Sequence, residues 1–406
     1  MRKITLLTLF IGLLQAENFQ EYKKEQESNF QKKIDSFNAQ KNRDLNSFNL
    51  YKENSLKEFE EYKKAQQEAF DEFKNEASKL WEVAKMPTAK SLVNYTDDKK
   101  TRGEIDFENE RIVVETIASS YEEASKNLKK ELGLLVSIDT DEFNRIDPFE
   151  KKLSNIKPKS SIVSSSLKNE SILSNVIFGK KPTNKELNLY TNKNINNQTI
   201  KVRNNPKVPN QKVYSVVVAM PSDAMVKKSK EYESEVTKQG KIREIPKSLI
   251  FAIMHSESSF NPKARSHIPA FGLMQIVPSS AGRDVYNFLY KEEKLVSDTY
   301  LYNSTNNITM GTAYLHMLYY KYLSRITNDE SRLYCAIAAY NTGAGNVART
   351  FSKTTNMANA APIINSMTPK QVYNKLLKDL PYDETKNYLQ KVTARMHSYS
   401  EIYGKN

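Results

Sequence analysis

The chain of 406 residues carries 61 Lys+Arg against 48 Asp+Glu, a formal charge of +13, and a single cysteine. That cysteine count excludes a disulfide-stapled scaffold and a cysteine-rich zinc cluster. Hydrophobic residues at 39% suffice for packed cores, while 11 Gly and 14 Pro are too few for a fold built on many tight turns, so the chain reads as mainly α. Lys and Asn are spread along the whole length, and the positive balance is therefore a solvated surface and not a nucleic-acid footprint.

Met1, Arg2 and Lys3 precede the apolar stretch Ile4 to Leu14, and Ala16 stands before the charged run that opens at Glu17. This is the layout of a secretory signal over residues 1–16. Eleven apolar residues rise only about 16 Å as a helix, roughly half a bilayer core, which argues against a spanning anchor. Cys335 lies far from this region, so no lipidated cysteine follows the signal, and the expectation is an exported, periplasmic protein whose outer-membrane association is left open.

Between Glu17 and Lys85 there is neither Pro nor Gly, and aromatic residues recur at a step of eleven: Phe37, Phe48, Phe59 and Phe70, then Tyr51, Tyr62 and Phe73, with Phe19 and Phe30 at the same step. Eleven residues in three turns is about 3.67 per turn, so the stripe stays on one side of a single helix. The expectation is a long helix or coiled-coil-like arm over 17–86, about 100 Å at most, whose stripe needs a second copy, a hairpin or a protein partner to cover it. Leu92 to Tyr95, Glu104 to Phe107, Arg111 to Ile117 and Val213 to Met220 read as strands, and Ser120 to Leu132 as a helix with Ala124, Leu128 and Leu132 on one face. The Ser, Asn, Lys and Pro-rich stretch between Asp147 and Gln211 reads as a long, partly mobile excursion, so 87–222 is expected to be a small α/β accessory domain. From 223 to 406 the spacing is helical: Lys247 to Ser258, Thr309 to Ser324, Glu330 to Tyr340, Pro369 to Leu380 and Glu384 to Tyr403, with Thr368, Pro369 and Gln371 forming a capping box.

In the helix after Pro246, Leu249, Ile250, Ile253 and Met254 form an apolar face, and Glu257 continues it. A carboxyl in that position has its charged form disfavoured and its pKa raised, which suits a general acid; an ordinary helix-end Glu in solvent is the plainer alternative on spacing alone. Tyr340 extends the face of Leu333, Ala336 and Ile337, and Tyr388 shares a face with Val392, Met396 and Tyr399. His255 and His267 lack ligand spacing, and no metal or cofactor is expected.

The run Glu257-Ser258-Ser259-Phe260-Asn261-Pro262, then Ser266, then Gly272-Leu273-Met274-Gln275-Ile276, and later Ala339-Tyr340-Asn341-Thr342-Gly343-Ala344-Gly345, resembles the lytic transglycosylases of the goose-type lysozyme superfamily. From Pro87 to about Tyr399 the chain further resembles one member class, membrane-bound lytic murein transglycosylase C. The resemblance implies a lysozyme-like helical catalytic domain over 223–406 and cleavage of the β-1,4 bond between N-acetylmuramic acid and N-acetylglucosamine in peptidoglycan, leaving 1,6-anhydro ends. It implies Glu257 as the catalytic acid and then base, and Ser266, Met274, Gln275, Tyr340, Asn341 and Tyr388 as substrate-binding residues. A single carboxyl serves both steps there, unlike the two-carboxylate plan of glycoside hydrolysis. The expected partner is the peptidoglycan glycan strand, with no nucleic acid; the alternatives are a lysozyme of the same fold that adds water, and a wall-binding module without turnover.

Overall fold

The computed structural model describes residues 2–404 apart from residue 268, and side chains from residue 21 onward except residues 22 and 48. The secretory-signal segment, and Phe19 and Phe48 of the aromatic stripe, fall outside the described side chains. Residues 1–57 and 58–406 form two compact units.

Helix α1 spans Arg2–Ser78. In the first unit its stripe stands in water: Phe30 and Phe37 are 67% and 69% exposed, and Leu45, Leu50 and Tyr51 are exposed as well. Side-chain pairs three or four residues apart, Lys23 with Glu27, Gln31 with Asp35 and Gln40 with Asp44, add local support to the helix. In the second unit the same periodicity turns inward, with Phe59, Tyr62, Phe73 and Ala77 buried. The helix ends at Ser78, short of the expected Lys85. The Ala77 carbonyl accepts both Leu80 N–H (3.1 Å) and Trp81 N–H (2.9 Å), and Trp81 is pulled into the core with its indole N–H on the Lys99 carbonyl at 2.6 Å.

What Trp81 enters is a five-stranded antiparallel sheet in the order β1-β2-β3-β6-β5. Its strands are β1 (Ser91–Tyr95), β2 (Thr101–Asp106), β3 (Arg111–Ala118), β5 (Lys201–Asn204) and β6 (Lys212–Ala219). Leu92, Ile105, Ile112 and Val218 lie in one cross-strand row. That row packs on Ala124, Leu128, Leu132 and Leu135 of α2 (Tyr121–Ser137), whose N-cap is Ser120. The opposite face carries Val93, Tyr95, Ile117 and Val213 and is covered by Phe73, Ala77 and Trp81. Glu115 is on this second face, buried and held by Arg102 (2.7 and 2.8 Å), whose guanidinium lies 3.9 Å from the centre of the Trp81 ring. A sheet buried on both faces explains why Val113 and Glu115 do not behave as a solvent row.

The excursion is more ordered than its composition suggests. After the short helix α3 (Thr140–Ile146) that leads into it, it forms α4 (Pro148–Ser154), β4 (Ile162–Val163), α5 (Ser174–Phe178) and α6 (Asn184–Asn194) before β5. Its polar residues act as caps: Asp147 accepts from Glu150 N–H and Thr183 with Glu186 closes a capping box, as Asp139 caps α3 just before it by accepting from Glu142 N–H. β4 pairs in parallel with β7 (Leu295–Val296), the Ser297 N–H bonds the Val163 carbonyl (2.8 Å), and Asn303 and Asn306 reach Ser166 and Ser165.

The remaining helices are α7 (Ala224–Glu231), α8 (Glu233–Arg243), α9 (Lys247–Ser258), α10 (Arg283–Tyr290), α11 (Asp298–Tyr302), α12 (Ser304–Met317), α13 (Asp329–Thr342), α14 (Ala344–Ser352), α15 (Met357–Asn365), α16 (Pro369–Asp379) and α17 (Asp383–Tyr403). The expected helix at Thr309 to Ser324 starts earlier and passes into a wider π turn at Leu318–Tyr322. α9 is buried around its whole circumference from Ser248 to Met254, not on one face alone, with α17 laid along it.

Phe73 tests whether the end of α1 belongs to this core. It is 1% exposed, with ring contacts to Tyr95 and Phe149 at 5.5 and 5.4 Å. Phe73→Ala is expected to lower the unfolding free energy by about 3–5 kcal/mol; urea unfolding of the full chain measures it.

Candidate active site

Glu257 occupies the last turn of α9, and the chain leaves that helix through an unusual turn. Ser259 and Phe260 have φ of 49° and 60°, a left-handed conformation that costs a non-glycine residue about 1–3 kcal/mol. The core supports it: Phe260 is fully buried, the Ser259 N–H closes on the His255 carbonyl at 3.1 Å, and Ser258 Oγ donates to the Leu273 carbonyl at 2.8 Å. That last bond ties the end of α9 to the turn that carries Met274 and Gln275.

The Gly272–Ile276 turn is built around Asn307 of α12. Its Oδ1 accepts the Met274 N–H (2.7 Å) while its Nδ2 donates to the Phe271 and Leu301 carbonyls (2.8 and 2.9 Å). Gly272, at φ +76°, has no room for a side chain, because a Cβ there would overlap the Asn307 amide and the Leu301 carbonyl. Gln275 is also left-handed (φ 48°); its Nε2 donates to the Gly272 and Ala264 carbonyls (2.9 and 3.2 Å), leaving Oε1 buried without a protein donor. Met274 departs from the expectation of a groove-lining side chain: it is fully buried against Gly311, and what it presents is its carbonyl, which accepts the Tyr340 hydroxyl at 2.9 Å.

Tyr340 and Asn341 lie in the last turn of α13, after which Gly343 turns the chain at φ +84°; Gly345 is inside α14. With Gln275, Tyr314 and Gly343 they line a cleft of about 320 Å³. Asn341 Oδ1 accepts from Thr385 Oγ1 at 2.7 Å, which fixes the amide against α17. One helical turn further along α17 stands Tyr388, buried, with its hydroxyl making no hydrogen bond of regular geometry; its charge environment is set by Glu257, Tyr340 and Arg395. Ser266 is half-buried in the loop after α9, its N–H bonded to the Ala270 carbonyl (3.0 Å) and its Oγ accepting the Ala270 N–H (3.2 Å).

Electrostatics single out one group in this site. Burial pushes the Glu257 carboxyl up to about 7, against the pull of the Tyr388 hydroxyl and of the Lys90 ammonium, with Glu384 adding a smaller push. Burial, and then the proximity of Glu257, hold the Tyr340 and Tyr388 phenols well above their ordinary range, so both stay neutral donors. His255, one helical position from Ser256, is driven down to about 3 by burial and by Arg395, and is uncharged at neutral pH. Its ring bonds the Tyr399 hydroxyl (3.0 Å), and Arg395 Nη1 donates to Ser256 Oγ (2.9 Å). Lys90, from the start of the sheet, sits on Glu108 at 2.7 Å, and Lys391 of α17 approaches the same carboxylate at 3.4 Å.

The structure thus brings Glu257, Tyr340 and Tyr388 to one place and seats Gln275 and Asn341 in the adjoining cleft. Sequence reasoning missed Asn307, Thr385, Tyr314 and Lys90. Asn307 sits beside Ile308 on the core side of a helix, a buried-amide signal visible in the sequence; the other three depend on contacts far along the chain. Among the described residues no group of three or more His, Cys, Asp and Glu could hold a metal ion, and no helix is long and apolar enough to cross a membrane.

Residues 234–362 match the family described as the transglycosylase SLT domain. Residues 57–231 match the N-terminal domain of membrane-bound lytic murein transglycosylase C, beginning thirty residues before Pro87. Membrane-bound lytic murein transglycosylase C of Klebsiella pneumoniae subsp. pneumoniae is 36% identical over 317 residues, covering 76% of this chain and 82% of that protein. The protein of that name from Mannheimia succiniciproducens is 32% identical over 338 residues, 79% of this chain and 85% of its own. The 70-kDa soluble lytic transglycosylase of Escherichia coli aligns in structure over 43% of this chain and 25% of its own, at 30% identity and a TM-score of 0.34. By its family match, the stretch 234–362 is an SLT-type transglycosylase domain. Joined to the N-terminal domain that precedes it, it makes the chain a member of the membrane-bound lytic murein transglycosylase C family.

The raised Glu257 carboxyl has a stability consequence. Its ordinary value is 4.5 and its folded value about 7, so between these the folded state holds a proton that the unfolded state has lost, and the stability contributed by this group falls as pH rises through about 7. Glu257→Gln is expected to be more stable than the native protein at pH 8, by about 1–3 kcal/mol given the partial exposure of the residue, with the difference shrinking at pH 5; thermal melts at the two pH values measure it.

Proposed function

We propose that the protein cleaves the β-1,4 bond between N-acetylmuramic acid and N-acetylglucosamine in peptidoglycan without adding water, using Glu257 in both steps. The observation that carries this reading is one carboxyl at the end of a buried helix, raised to about 7 by burial and close to two neutral tyrosines, one of which, Tyr340, lines the cleft. In the first step protonated Glu257 gives its proton to the glycosidic oxygen, and the bond from that oxygen to C1 of the muramyl sugar breaks. In the second the Glu257 carboxylate takes the proton of the sugar's own C6 hydroxyl, whose oxygen closes on C1 as a 1,6-anhydro ring. The proton returns to Glu257, and no second carboxylate is needed to activate water. The Tyr388 hydroxyl, left without a regular bond, is available to the carboxylate as it forms. Tyr340 braces the Met274–Gln275 turn, Ser266 contacts the N-acetyl group or the cationic sugar, and Gln275 and Asn341 hold neighbouring sugars.

In this reading residues 223–406 are the transglycosylase domain, 87–222 the accessory domain and 1–16 an export signal, placing the enzyme at the periplasmic face of the cell envelope. The exposed stripe of Phe30, Phe37, Leu45 and Tyr51 is covered by a second copy of the helix, because large apolar side chains in a row are unfavourable in water.

Digestion of purified sacculi by the native protein is expected to release muropeptides with anhydro ends, lighter by one water than hydrolysed products in mass spectrometry; hydrated ends would favour a lysozyme. Glu257→Gln is expected to lower turnover by about 100-fold or more. Native kcat/KM falls as pH rises past about 7, because the first step needs the protonated acid. For the stripe, light scattering of the native chain is expected to give a multiple of the 46.7 kDa chain mass, and of a Phe30→Ser, Phe37→Ser, Leu45→Ser variant the single mass; a monomeric native chain removes the self-association.

A further inference from the structure

Ser266 belongs to a loop that no helix or strand ladder holds. Between Asn261 and Ala270 the described residues form only turns, a bend and an isolated bridge from Arg265 to Phe271. What fixes it is a set of side chains around Arg265, the residue before Ser266. The Arg265 guanidinium lies between the rings of Phe149 and Phe271 (5.8 and 5.5 Å), donates from Nε to Tyr302 Oη (3.1 Å), and places Nη2 3.4 Å from Asp298 Oδ2. Asp298 is 6% exposed, so its charge must be met by protein groups.

Two of those groups come from the second-unit part of α1. Tyr62 Oη donates to Asp298 Oδ1 at 2.6 Å and Gln66 Nε2 donates to Asp298 Oδ2 at 2.7 Å, one helical turn apart, with Gln66 Nε2 also 2.9 Å from Tyr62 Oη. Both side chains are 7% exposed. The Thr299 N–H completes the set on Oδ1 at 2.7 Å. Each carboxylate oxygen is thus spoken for by α1 before Arg265 arrives, and the orientation of the carboxylate, which decides where the guanidinium rests, is set by a helix more than two hundred residues away in sequence. The neighbouring segment of the accessory part acts on the same loop: Asn261 Nδ2 reaches the Thr88 and Ala89 carbonyls (3.4 and 3.3 Å), and the Arg265 N–H the Thr88 carbonyl (3.4 Å).

We propose that Tyr62 and Gln66 are positioning residues for catalysis: through Asp298 and Arg265 they hold the Ser266 loop in the geometry in which it meets the sugar. This rests on the role given to Ser266 above. The chain of contacts is buried and charged, so loosening one end is transmitted and not absorbed by solvent. Ser266 acts on the sugar as charge develops, so its misplacement lowers kcat more than it raises KM.

The test uses the full-length protein with Tyr62→Phe, Gln66→Met and the pair, alone and combined with Ser266→Ala, on soluble uncrosslinked glycan strands. The paired variant is expected to lose about 5–20-fold in kcat with KM within twofold, and to add nothing to the loss already caused by Ser266→Ala, the non-additivity of groups that act as one unit. A kcat within twofold of the native value, or a loss that multiplies that of Ser266→Ala, overturns the proposal. Amide hydrogen exchange at Ser266 and Ala270 is read in parallel at a temperature where all variants are folded. Faster exchange in the paired variant supports the link and unchanged exchange overturns it. That arm does not depend on turnover, so it separates failure of this proposal from failure of the enzyme reading, which would show as a native protein releasing no anhydro ends.

Discussion

The catalytic half is arranged around one carboxyl that is largely, not wholly, withdrawn from water at the end of a helix that is itself surrounded. α9 has no solvent face through its central turns, so Glu257 emerges from apolar packing and not from a surface. A carboxylate in that setting is expensive, and the protein holds the proton instead. The elements that close in on it each serve a second purpose. α17 packs along α9 and brings Tyr388, α13 carries Tyr340 in its last turn, and the Gly272–Ile276 turn is pinned by Asn307 so that the Met274 carbonyl can receive the Tyr340 hydroxyl. The left-handed pair Ser259 and Phe260 is the strained point that lets the chain turn away immediately behind the acid.

The accessory half is coupled to that site by polar contacts at its first strand. Lys90, immediately before β1, contributes to the potential at Glu257, while the carbonyls just before it receive Asn261 and Arg265. The sheet can do this only if it is rigid. It is covered on one face by α2 and on the other by the end of α1 and Trp81, with the Arg102–Glu115 pair roofed by the indole. Arg102 and Glu115 sit opposite each other on adjacent strands, so their pairing also fixes the register of β2 on β3.

Much of this was legible in the sequence where local periodicity and burial agree. The four main strands, α9 with Glu257 on its buried side, and the Thr368–Gln371 capping box follow from spacing within a single element. The residues that carry the family resemblance were legible as motifs, but not the way each one acts. Met274 looked like a groove residue, and only the position of Gly311 across the core shows that its side chain is buried. Thr385 and Lys90 gave no local signal, since their meaning depends on partners 44 residues away for Thr385 and on charge brought together by folding for Lys90. The stretch from Asp147 to Gln211 read as mobile because caps and loops draw on the same residues, Ser, Thr, Asn and Asp; which of the two is meant is settled by contacts with β7 and α12 that composition does not encode.

That stretch has a mechanical consequence. β4 leaves the accessory half, lays two residues beside β7 of the catalytic half, and continues into Ser165 and Ser166, which meet Asn306 and Asn303, and Glu170, which receives Ser304 Oγ. A chain that merely ran from one half to the next at about residue 222 would allow each to melt on its own schedule. Here the two halves share that strap, so opening either one uncovers backbone and amide partners that the other holds, and their unfolding is coupled.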